Sequence, residues 1–172
     1  MVFKLTDQLI SDMRTLNHLF FFCKDESFIS DFNSNALIIP LAVDKKIKKQ
    51  IDRIEQKLNK ISAVITNAAQ IEQLDQDNMN EKMVVILVEY VAISGSITLR
   101  SKNKESRDYT GGLNKIQTAL KNLARAIDRY NEIAISRNWP VIQSLNESQT
   151  IAMKRIDDGM SELLAYIEEK HD

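Results

Sequence analysis

The sequence predicts an all-α fold, an antiparallel bundle of four principal long helices plus an N-terminal helix, in a single domain of 172 residues. Three observations carry that expectation. Apolar residues recur in alternating steps of three and four over long stretches, the spacing that lines one face of a helix. Only 4 Gly and 2 Pro occur, too few turn formers for a many-stranded sheet. A hydrophobic share of 44% against 27% charged residues supplies one real core.

The first helix is expected from Thr6 to Cys23, where Leu5, Leu9, Met13, Leu16 and Phe20 share a face and Thr6 serves as N-cap. From Lys24 to Val43 the period fails. Asp25, Ser27, Ser30, Asn33, Ser34, Asn35 and Pro40 mark a loop with one short helical turn, so residues 1–43 read as a Phe-rich helix followed by irregular chain.

The second helix carries the clearest pattern. Ile47, Ile51, Ile54, Leu58, Ile61, Ile65 and Ala68 form a heptad seam, with Asp44 as N-cap and an end near Asn78. Ile at d positions suits three- or four-helix surroundings better than a two-stranded coiled coil. After Ala68 the seam shifts, because Glu72 and Asp75 occupy places that a strict repeat would fill with apolar residues.

A third helix is expected from about Asn80 to Arg107. It is apolar all round from Met83 to Val88 and from Tyr90 to Ile93, as befits a helix surrounded by others. The rival reading, a hairpin turning at Ser94-Gly95-Ser96, is disfavoured because no other segment alternates with period two. The apolar run from Met83 to Leu99 also sits at the lower edge of a membrane span, interrupted by Glu89; a buried helix is the preferred reading.

Asp108-Tyr109-Thr110-Gly111-Gly112 is the strongest turn. Leu113, Ile116, Leu120, Leu123, Ile127, Tyr130 and Ala134 then give a second heptad helix ending near Asn138. Pro140 opens the first turn of a last helix that runs to about Glu169. Residues 111–138 carry +3 and residues 139–172 carry −4, so these two helices are expected to pair as an antiparallel hairpin.

The inventory for chemistry is thin. The four glycines, Gly95, Gly111, Gly112 and Gly159, cannot build a phosphate-binding loop, the single Cys23 excludes a disulfide framework, and a net charge of −1 gives no case for nucleic-acid binding. No cofactor and no metal is implied. Glu168 and His171 have Glu-x-x-His spacing but lack the companion ligands of a di-metal bundle, and read as a solvated tail. Asp7 and Asp12 interrupt the first helix, so it lacks the uncharged stretch of a secretory signal, and the expected location is cytoplasmic.

Three features stand out as contact candidates. Phe20, Phe21 and Phe22 cannot all face one side of a helix, so they either cap the bundle, the preferred reading, or present an aromatic patch. Lys45, Lys46, Lys48 and Lys49 crowd the start of the second helix, where the helix dipole disfavours positive charge, and Arg100, Lys102, Lys104 and Arg107 form a second basic cluster. Glu89, in the most apolar helix, reads as a buried polar group needing a partner, structural rather than catalytic. The functional expectation is a non-catalytic protein–protein interaction or assembly module that binds a protein partner or a second copy. The alternative is a membrane-active bundle that docks an apolar segment into lipid.

Overall fold

The computed structural model describes residues 1–30, 39–102 and 107–171, apart from the side chains of residues 22–30 and 171. Five helices account for most of it: α1 Val2–Ser30, α2 Leu41–Ile71, α3 Gln76–Ser101, α4 Thr110–Ser136 and α5 Leu145–His171. Among the described residues there is no strand, and the fold is an all-α bundle.

The α2 and α4 seams form the spine. Ile47, Ile54, Leu58, Ile61 and Ile65 meet Ile116, Leu123, Ile127 and Tyr130, all with 0% exposure. Gly112 of α4 lies against the Ile51 side chain, where an added Cβ would be 3.0 Å from Cγ2, so glycine there permits the contact. The two heptad helices run parallel, contrary to the direction expected for them. Tyr109 bonds to Asp44 at one end, and the Leu74 N–H donates to Tyr130 Oη (2.8 Å) at the other. α1 packs antiparallel to α2 and parallel to α3, which closes the ring of four.

Helix ends differ from the pattern-based limits for local reasons. Val2 is buried, which draws the α1 start back past Thr6; the Thr6 hydroxyl donates to Phe3 O (2.9 Å) instead of capping. α1 continues beyond Cys23 to Ser30. α2 stops at Ile71, short of Asn78, because Glu72 is extended and Leu74 turns into the core; Asp75 then accepts from the Asn78 N–H (3.1 Å) and caps α3. α3 runs unbroken through Ser94-Gly95-Ser96. Asp44 lies inside the first turn of α2, since the helix begins at Leu41 behind Pro40.

The last helix departs furthest from expectation. α4 ends at Ser136, and Asn138 takes φ 57°, a left-handed position that Asn tolerates. The chain then runs without helix to Ser144. The Asn131 side chain brackets Ile142 with two backbone bonds (2.8 and 2.9 Å), and Asn80 Oδ1 accepts from Gln143 N (2.8 Å). Ser144 Oγ accepts from the Glu147 N–H (3.2 Å) and starts α5. α5 does not pair with the oppositely charged α4 along its length. It packs against α3, where Arg155 forms a two-pronged bond to Glu81 (2.9 and 2.8 Å). The helix outside the ring of four is therefore α5, while α1 is a full member of it.

Candidate functional site

Phe20, Arg100, Tyr109 and Asp44 gather at one end of the bundle from α1, α3, the turn before α4, and α2. Phe20 is buried; its ring meets Tyr109 edge-on at 5.8 Å, and the Arg100 guanidinium lies 4.8 Å over its face. Arg100 is itself buried and donates to Phe20 O (3.0 Å) and Ser96 O (3.3 Å). Phe20 is thus enclosed in the core and not on the surface that an aromatic contact patch would need. Phe21 is 60% exposed, and the Phe22 side chain lies outside the described residues.

The lysine run has an internal counter-charge. Asp44 is buried, accepts from Tyr109 Oη (2.7 Å) and pairs with Lys48 (3.2 Å) and Arg107 (3.8 Å). An acid in the first turn of α2 offsets the dipole penalty of the lysines beside it. Lys45, Lys46, Lys48 and Lys49 all remain exposed. The second basic cluster does not assemble as one surface. Arg100 is inside the core, Arg107 turns to Asp44 and Ile39 O (3.1 Å), and Lys104 lies outside the described residues.

Burial pushes the Asp44 carboxyl up, but the Tyr109 hydrogen bond and the charges of Lys48 and Arg107 outweigh it, leaving the pKa below the ordinary 3.8. A carboxylate depressed in the folded state stabilises the fold fully above its unfolded value and loses that contribution as pH falls through the folded one. Asp44→Asn is expected to lower stability by about 1–3 kcal/mol at neutral pH. Thermal melts of both proteins should converge as pH drops below 3.8; a pH-independent gap would remove Asp44's charge from the account.

Glu89 is paired, as its setting requires. Its side chain is 18% exposed and accepts from Arg14 Nε (3.1 Å) and Asn17 Nδ2 (2.9 Å), tying α3 to α1. Glu89→Gln is expected to keep the fold and shift stability by less than about 1 kcal/mol, because Arg14 is largely in solvent. Loss of an enzymatic turnover at unchanged melting temperature would instead make Glu89 an active-site acid.

An open groove of about 790 Å³ lies between α1 and α3, with Ile10, Leu19 and Val85 in its walls. Its charged rim is largely spoken for: Lys82 holds Asp7 (2.6 Å), Arg14 holds Glu89 and Glu81 holds Arg155. Among the described residues, no three His, Cys, Asp or Glu side chains converge on a metal position.

The surface that sequence reasoning missed is the second half of α5. Its first half is anchored by Ser148 and Ala152, both at 0% exposure. From Asp157 to Lys170 every residue is exposed, including Met160 (59%), Leu163 (58%), Leu164 (57%), Tyr166 (57%) and Ile167 (42%). Ile156, Met160, Leu163 and Ile167 keep a helical stripe in the sequence, but periodicity alone does not say which stripes find a partner. Comparison with protein-family models, curated protein sequences and solved structures finds no match.

Proposed function

We propose that this protein is a non-catalytic interaction module, a helical bundle whose α1–α4 core holds α5 out as a contact element. The observation that carries this reading is the run of large apolar side chains on α5 beyond Asp157, attached to a bundle that buries its other stripes. Exposed apolar surface of this extent, concentrated on one element, is the usual mark of a docking surface. The groove between α1 and α3 has Asp7 and Glu81 engaged in ion pairs with Lys82 and Arg155, which fits the same reading.

The second reading is a membrane-active bundle. α3 is long and apolar enough to cross a bilayer by length and composition, and one third of its most apolar window is buried. Glu89 and Arg100 within it hold α1 through ionic and backbone bonds, which favours α3 as a core helix. Cosedimentation of the full chain with anionic and with neutral vesicles, alongside capture from cell extract, separates the two readings. The interaction module is expected to leave both vesicle types unbound and to retain a protein that the double variant Leu163→Ser, Ile167→Ser releases. Vesicle binding unaffected by that variant would support the membrane reading instead.

A further inference from the structure

Resting on that reading, we infer that the projecting half of α5 is an acidic docking helix whose partner is a protein surface with an apolar groove between two helices and a Lys/Arg-rich rim. Three observations favour that occupant over a second copy of the chain or a lipid surface.

The first is the width of the stripe. Ile156, Met160, Leu163, Leu164 and Ile167 fall at i, i+4, i+7, i+8 and i+11. Leu163 and Leu164 stand about 100° apart around the helix, so the stripe is broader than the narrow seam of a two-stranded coil and needs walls on two sides. The second is charge. Residues 157–170 hold Asp157, Asp158, Glu162, Glu168 and Glu169 against Lys170, a net −4. Asp157 and Glu168 flank one edge of the stripe, and Lys170 lies 5.5 Å over the Tyr166 ring at the other. Asp158, Glu162 and Glu169 lie on the far face, so the acid beside the stripe is Asp157 and Glu168 along one edge; basic side chains on that edge of a groove complement it, and an anionic membrane repels the segment as a whole.

The third is area. The 14 residues from Asp157 to Lys170 make a helix about 21 Å long and about 10 Å across, so a single stripe of it against one other helix falls short of the about 1,200 Å² at which specific interfaces begin. A groove that wraps the helix also covers Tyr166 and the stripe edges, and so reaches the larger figure. This is the helix-in-groove mode of recognition, with anchors at i, i+4 and i+7.

The test uses the full chain and two designed helical hairpins that share a Leu-lined groove, one rimmed with Lys and the other with Glu. Calorimetry is expected to show binding to the Lys-rimmed hairpin alone. Affinity should fall at least tenfold in Leu163→Ser, Ile167→Ser and several-fold in Asp157→Lys, Glu168→Lys or at high salt, with melting curves unchanged because these side chains touch no core. Equal or tighter binding to the Glu-rimmed hairpin would overturn the basic rim while leaving an interaction module. A dimer seen by ultracentrifugation and abolished by the double Ser variant would assign the face to a second copy. Vesicle binding that requires Leu163 and Ile167 would overturn both the partner and the module reading. Binding to neither hairpin would overturn this partner chemistry alone, since capture from extract tests the module reading separately.

Discussion

A chain lacking residues 1–32 is expected to lose cooperative folding altogether. α1 contributes Val2, Leu9, Ile10, Met13, Leu16 and Phe20 to the core, each no more than 6% exposed. At about 1.5–3 kcal/mol for each buried side chain, their loss is on the order of 10 kcal/mol, comparable with the whole stability of a typical domain. The deletion also strips Glu89, Lys57 and Arg100 of bonds to Arg14, Asp12 and Phe20. Circular dichroism should show a broad, non-cooperative loss of signal and strong dye binding to exposed apolar surface. A sharp melt near that of the full chain would mean that α1 is an appendage. Because α1 is a wall of the bundle, such a truncation cannot report on binding, and only point changes on exposed side chains can.

The second large effect is expected at Leu58, at 0% exposure in the middle of the α2 seam. Leu58→Ala should cost about 2–5 kcal/mol, the range for a large-to-small change where helices on both sides resist collapse. Chemical denaturation gives the value directly. A loss below about half a kcal/mol would put Leu58 at the surface and break the heptad assignment.

The parts of this structure legible in the sequence are those where one helix settles its own burial. The α2 and α4 stripes name their core residues because a one-sided pattern has one way to be satisfied, and the all-round apolar α3 was legible as a helix with neighbours on more than one side. Direction and partnership were not legible: nothing in the spacing of α2 states that its neighbour is a parallel α4. Two boundaries were written locally but read past, Asp75 before Asn78 and the Ser144-x-x-Glu147 capping box.

The basic run and the Phe cluster were visible as compositions, yet their meaning lay in tertiary pairings. Asp44 draws in Lys48 and Arg107, and Arg100 leaves the apparent cluster to sit over Phe20, 80 positions away in the chain. Glu89 was legible as a group in need of a partner, though Arg14 and Asn17 could not be singled out as the ones supplying it.

The parallel arrangement of α2 with α4 also constrains the order in which the chain can assemble. α2 and α3 are consecutive, yet they scarcely touch among the described residues, while the most extensive helix pairing joins α2 to α4 across the whole of α3. Among the described residues α1 with α2 is the most extensive pairing of consecutive helices; the central seam closes when α4 has been made and carried the length of the bundle. Loop-closure entropy is therefore spent before the largest contact is gained, and refolding should be slower than in a bundle where each helix packs on the one before it. During synthesis the part of α2's apolar face that α1 does not cover waits until Leu113 to Tyr130 emerge, an interval in which a nascent chain depends on its surroundings to avoid aggregation.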